Sequence, residues 1–192
     1  MNIIQLDSGS IRAYCDDLAG LRLTIFREYP YLYDGQLEDE RRYLSHYADH
    51  GRVLAALDGE RIVGAITGMP LDQEPPDFIQ PFRDVGRDPA NYYYIGELLL
   101  QAPYRGSGLG SRMLEQFEQQ IRQAEKFTHA CCATVVRPED HPLRPAEFRP
   151  IEPFCRRHGY VQVPGAVAQV AWQQIDGTTP RNSLQYWEKP LQ

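Results

Sequence analysis

Two neighbouring features of the sequence have residue types and spacing that could do chemistry together. Arg105-Gly106-Ser107-Gly108-Leu109-Gly110 places glycines at alternate positions between a long apolar run, Tyr92 to Leu100, and a helical pattern, Ser111 to Lys126. Three missing β-carbons at the point where a strand gives way to a helix let backbone N–H groups crowd around a ligand. The helix start adds its own unpaired N–H groups and about half a positive charge of macrodipole, so an anion, and first of all a diphosphate, is favoured there. Eight positions before Arg105, Glu97 is the only ionisable carboxylate inside the apolar run. A carboxylate in that setting can attract a cationic amine and take its proton, and burial can tune its pKa for the task. The alternative is a structural acid, paired with an arginine or facing solvent at the strand end.

Spacing narrows the choice of diphosphate. A P-loop ends in Gly-Lys-Ser/Thr, whereas this loop ends Gly110-Ser111-Arg112. The dinucleotide fingerprint needs two residues between its second and third glycines, and only Leu109 separates Gly108 from Gly110. The loop instead resembles the Arg/Gln-x-x-Gly-x-Gly/Ala motif with which the GNAT superfamily of N-acyltransferases binds the pyrophosphate of an acyl-CoA, with Arg105, Gly108 and Gly110 at the matching positions.

That resemblance carries further expectations. It implies that Arg105, Gly106, Ser107, Gly108, Leu109, Gly110 and Ser111 hold the pyrophosphate of acetyl-CoA as cosubstrate. It implies that the backbone of Leu98, Leu99 and Leu100 aligns the pantetheine arm, and that Glu97 manages the proton of the amine. The reaction implied is transfer of an acetyl or other short acyl group to a primary amine of a small molecule or peptide, by direct attack in a ternary complex. Such an amine is almost wholly protonated at neutral pH, and deprotonating it costs about 4 to 5 kcal/mol at pH 7. The sequence departs from the family at one position: where a tyrosine is usual, five residues before the aromatic of Gly159-Tyr160, stands Cys155. The departure keeps a second function in play, a CoA-binding regulatory or sensor module without transfer activity. Cys155 reads as a small hydrophobe or, less simply, as a proton donor to the departing thiolate.

The elements that must position these residues follow in chain order. Ile3 to Leu6 predicts a first strand, and Ser8 or Ser10 caps one amphipathic helix carrying Ile11, Leu18, Leu21, Leu23 and Phe26. Tyr29 to Gly35 combines turn formers with three tyrosines, and Tyr31 and Tyr33 either wall an acceptor pocket or staple helices to the sheet. A charged helix follows over about Leu37 to His50. Arg52 to Leu57 and Arg61 to Pro70 are strands joined through Asp58-Gly59, a hairpin signal. The segment Leu71 to Asn91 reads as a functional or mobile loop with room for a short helix over the site. Tyr92 to Leu100, the glycine loop, its helix and His129 to Val136 make a βαβ unit with one parallel strand pair. A proline-rich loop then carries His141 with Arg137, Arg144 and Arg149, suited to an acidic substrate group or the 3′-phosphate of CoA, or simply solvated. A short helix over Ile151 to His158 stops at Gly159, and Tyr160 to Val163, Ala166 to Trp172 and Leu184 to Glu188 close the sheet. The fold class is α/β (α+β): a mixed, mostly antiparallel sheet with a central parallel pair and helices on both faces, in one GNAT-like domain over residues 1–192.

Composition fits this reading. The 192 residues can bury roughly 70% of the surface of the unfolded chain. The net charge of −6 argues against nucleic-acid or anionic-membrane partners and leaves room for a cationic substrate. The four cysteines lack metal-ligand spacing, so no metal site is expected, and they read as core residues in a reducing compartment. Cys131 and Cys132 should point to opposite faces of their strand. With neither a basic leader nor a long apolar segment, a cytoplasmic protein is expected, as a monomer or homodimer.

Overall fold

The computed structural model describes residues 1–191. Seven strands form one sheet in the order β1-β2-β3-β4-β5-β7-β6. They are β1 (Asn2–Leu6), β2 (Arg52–Asp58), β3 (Arg61–Pro70), β4 (Tyr92–Leu100), β5 (His129–Val135), β6 (Val161–Ala171) and β7 (Arg181–Pro190). Every neighbouring pair is antiparallel except β4 and β5, whose parallel pairing needs the crossover that the helix α5 (Leu109–Gln123) supplies. The expected mixed sheet with a central parallel pair and helices on both faces is therefore present.

Alternation along the strands feeds a separate core on each face. Tyr93 and Ile95 join Leu54, Ala56 and Ile66 beneath the stripe Leu109, Met113, Phe117 and Ile121 of α5. Each such side chain contributes about 1.5 to 3 kcal/mol on burial, which seats α5 and with it the glycine loop. Leu99, Val53, Ala55 and Ala65 face the other way, under the first three helices. Cys131 and Cys132 fall into opposite cores, as their adjacency in a strand requires.

The first helical segment differs from the sequence expectation. It is two helices, α1 (Ser8–Ala13) and α2 (Cys15–Phe26), broken at Tyr14, and the cap is Asp7, whose carboxylate accepts from the Ser10 N–H at 2.7 Å. An Asp one residue earlier offers the same acceptor as a serine with a full charge at the dipole's positive end, so it takes the cap. The charged helix α3 spans Leu37–His50 as expected. The Leu71 to Asn91 segment contains the short helix for which the sequence left room, α4 (Pro76–Asp84), between two short 3-10 turns. The helix before Gly159 is α6 (Glu152–Arg157), and Gly159 takes φ +84°. The two expected strands after it are one, β6, with a register shift between Gln162 and Val167 where Gly165 takes φ +80°.

Candidate functional site

The glycine loop leads directly into the start of α5 (Leu109–Gln123). Gly106 and Gly108 have φ of +75° and +80°, a conformation that disfavours any residue with a β-carbon, and a β-carbon at either would meet nothing within 4 Å. These two glycines serve the backbone path, and the space beside them is open. Gly108 is the N-cap of α5, and the Arg112 N–H closes the first helical bond onto its carbonyl at 3.2 Å. Among the described residues, no acceptor in the protein meets the backbone N–H of any residue from Gly106 to Ser111. Gly110 is placed differently: a β-carbon there would make ordinary contacts, 3.4 Å from Leu100 and 3.8 Å from Leu98, which puts it on the side of α5 that faces β4. Arg105 ties the loop down, donating from Nε to the Leu100 carbonyl and from Nη1 to Glu28, each at 2.8 Å. Ser111 Oγ lies 2.9 Å from His158 Nε2, which brings the end of α6 to the helix start.

Beside the loop the sheet opens. β4 and β5 pair only from Tyr92↔His129 to Ile95↔Cys132, although β4 continues to Leu100 and β5 to Val135. The divergence coincides with a bulge: Thr67 pairs with Glu97 and Gly68 with Ile95, leaving Gly96 as the extra residue. The outer half of β4, Leu98 to Leu100, thus has a neighbour in β3 and none in β5, and Gly96, Leu98 and Leu100 are half-exposed. Two open grooves of about 460 and 420 Å³ lie elsewhere, one beside Leu6, Arg52 and Lys126 and one between α1 and α3, and the glycine loop lines neither.

Glu97 is buried and ion-paired with Arg22 of α2, whose other edge holds Glu40 of α3. The Arg22 guanidinium also lies 3.7 Å from the centre of the Tyr43 ring. Enclosed charges of this kind need partners, and removing one leaves an uncompensated ion that costs about 3 to 5 kcal/mol. One oxygen of Glu97 remains: Oε2 is buried without a hydrogen-bond partner, as is Oγ1 of Thr67 directly across the strand pair. The arginine pairing that the sequence left open for Glu97 is therefore present, along with one buried carboxylate oxygen that has no partner at the bulge.

A second acid, which the sequence reading did not single out, stands near the same bulge. Glu74 follows the turn after β3, is 9% exposed, and accepts from the Tyr47 hydroxyl at 3.0 Å. Burial pushes its carboxyl up to about 7, and the Tyr47 hydrogen bond only partly opposes this. In the sequence it is one charge among prolines, Glu74-Pro75-Pro76, with no periodicity to say that it turns inward.

Tyr31 and Tyr33 are both partly buried and both contact neighbouring elements. Tyr31 packs 4.5 Å from Phe26 and 6.0 Å from Trp172 between ring centres, and the Tyr33 hydroxyl donates to Glu40 at 2.9 Å. Burial pushes the Tyr31 phenol up to about 12, so it stays neutral. His141 lies over Tyr29 at 5.5 Å and accepts from the Leu143 N–H, in a loop whose Arg137 donates to the carbonyls of Pro30 and Tyr31. These two bonds fasten Arg137 to the Tyr29 to Gly35 turn. Cys155 is buried in the α5 core with Cys132 packed against that core, and its hydrogen bond with Cys132, followed by burial, holds the Cys132 thiol well above the ordinary range.

The acetyltransferase (GNAT) family profile matches residues 19–144, which include β2 to β5, the glycine loop and α5. The chain belongs to the GNAT acetyltransferase family. Solved structures share the fold over nearly the whole chain. An aminoglycoside 6′-N-acetyltransferase complexed with coenzyme A is 14% identical, with 100% of this chain and 98% of that chain covered and a TM-score of 0.64. A ribosomal-protein-alanine N-acetyltransferase from Brucella melitensis is 15% identical, with 99% of each chain covered and a TM-score of 0.63. The aminoglycoside 6′-N-acetyltransferase from Enterococcus faecium is 14% identical, with 100% and 98% covered and a TM-score of 0.63. A search of curated protein sequences finds no match. For this GNAT chain, identities at this level establish the fold and leave the acceptor open.

Proposed function

We propose that this GNAT protein transfers an acetyl or other short acyl group from acetyl-CoA to a primary amine of a small molecule or peptide. The observation that carries the reading is the run of six successive N–H groups, Gly106 to Ser111, without acceptors at the start of α5 and beside the half of β4 that has left β5. These donors suit a pyrophosphate, and Leu98, Leu99 and Leu100 offer a strand edge for an extended pantetheine arm. The free oxygen of Glu97, with Thr67 opposite, supplies an acceptor for an ammonium group where the strands part. Arg22 is shared between Glu97 and Glu40, one cation against two carboxylates, so Glu97 serves best to hold the cationic amine. The fold neighbours named for aminoglycoside and ribosomal-protein acetylation fit amine acceptors as a class.

The test is to incubate the protein with acetyl-CoA and a broad panel of polyamines, amino sugars and peptides, following free thiol and acylated product together. Amine-dependent thiol release with an equal yield of acyl-amine is expected. Coenzyme A binding with no turnover across the panel would assign the chain instead to a CoA-binding sensor module.

A further inference from the structure

Five glutamates are buried in this protein: Glu40, Glu74, Glu97, Glu118 and Glu188. Arg22 serves Glu40 and Glu97, Lys189 and Arg122 serve Glu118, and Arg87 serves Glu188. Among the described residues, Glu74 alone of the five has no basic partner. A carboxylate enclosed without a cation is costly to the fold and is unexplained by packing. Its one hydrogen bond leads toward the site: Tyr47 donates to it, and the Tyr47 oxygen lies 2.6 Å from where a β-carbon of Gly96 would stand. Gly96 is the extra residue of the β4 bulge and is half-exposed, so its missing side chain leaves the phenol at the point where β4 and β5 part.

Building on the proposed acyl transfer, we infer that Glu74 is the final acceptor of the amine's proton and that the Tyr47 hydroxyl conducts the proton to it. The ammonium held by Glu97 gives one proton to Tyr47 Oη as the tyrosine's own proton passes to Glu74. The freed nitrogen lone pair attacks the thioester carbonyl, a C–N bond forms, the C–S bond breaks, and the electron pair leaves on the thiolate. The second amine proton is lost as the amide forms, to solvent or to the thiolate. Tyr47 takes part as a neutral phenol throughout, since burial holds its pKa well above the ordinary range.

The groups facing Glu74 suit this task. Tyr43 and Tyr47 come from α3, Tyr94 from β4, Cys131 from β5 and Tyr186 from β7. Burial raises the pKa of every one, so at neutral pH none brings a charge to Glu74. A carboxyl of pKa about 7 in a neutral shell is deprotonated often enough to accept a proton at neutral pH and basic enough to hold it.

The experiment uses an amine that the wild type acetylates. Wild-type kcat/KM for that amine should rise with pH through a step near 7. In Glu74→Gln, which still accepts the Tyr47 hydrogen bond, that step should vanish and kcat should fall about 10²-fold, with coenzyme A affinity unchanged. Tyr47→Phe should also lower kcat, and it should move the step to higher pH because the bond that stabilises the carboxylate is gone. A Glu74→Gln protein with wild-type kcat and an intact step would overturn the assignment of Glu74 while leaving acyl transfer standing. A folded wild type that binds coenzyme A and acetylates none of the panel would overturn both.

Discussion

At the scale of single residues, the site divides its acids by how each is compensated. Glu97 and Glu40 share Arg22, whereas Glu74 has only a phenol, and that difference has a thermodynamic signature. Folded, Glu74 holds its proton up to about pH 7; unfolded, it releases it near the ordinary 4.5. The folded state therefore binds more protons between these values, so stability is greatest below about pH 4.5 for this group and declines as pH rises toward 7. Glu74→Gln removes the decline. Thermal melts at pH 8 should show the variant more stable than wild type by about 3 kcal/mol, with the gap falling to about 1 kcal/mol near pH 5. Equal melting at both pH values would mean that Glu74 is not protonated by burial. Glu97 was visible in the sequence as the lone acid of an apolar run, but its partner Arg22, 75 residues earlier in the chain, was not, because local pattern carries no information on which distant cation meets a buried charge.

At the scale of elements, the decisive device is the bulge in β4. Gly96 puts an extra residue into the strand, brings Glu97 opposite Thr67 and ends the pairing with β5. A methyl group there would stand 2.6 Å from the Tyr47 hydroxyl and 3.5 Å from that of Tyr43. Gly96→Ala should therefore displace Tyr47, cost about 1 to 3 kcal/mol in a urea melt, and lower turnover while coenzyme A still binds. An alanine variant with wild-type stability and turnover would show that the phenol is not held against the bulge. The strand limits Tyr92 to Leu100, the helix α3 and the glycine stop at 159 were legible because apolar runs, period 3.6 and αL glycines are local signals. The break at Tyr14 was not, and of α4 only the room for a short helix between Leu71 and Asn91 was. Tyr14 lies in a run with no proline or glycine stop beside it to mark a break, and the prolines Pro75, Pro76 and Pro81 read as loop even though Pro76 opens the helix, where proline is well tolerated.

At the scale of the whole molecule, the sheet divides the labour. β1 to β4 with α2 and α3 lie on the side of Glu97, Tyr47 and Glu74, the glycine loop leads into α5, and β5 to β7 stand across the opening. The glycine spacing and the strand-loop-helix-strand order were enough to read the glycine loop and the helix after it in the sequence, since a positive-φ loop at a helix start is a local construction. The acceptor half proposed here depends on side chains from α2, α3, the turn after β3 and β4 meeting in space, so Glu97 was named in advance, with Tyr31, Tyr33 and His141 in the loops, whereas Arg22, Tyr47 and Glu74 were not. Calorimetric titration of coenzyme A tests most directly whether Arg105 to Ser111 holds the donor. Leucine at position 108 meets no neighbouring atom within 4 Å through its β-carbon but must adopt φ near +80°, a cost of about 1 to 2 kcal/mol that a melt can verify without loss of the fold. The wild type should bind one coenzyme A per chain, with heat that disappears in folded Gly108→Leu. Equal affinity in the two proteins would contradict the assignment of the loop and the acyl transfer built on it.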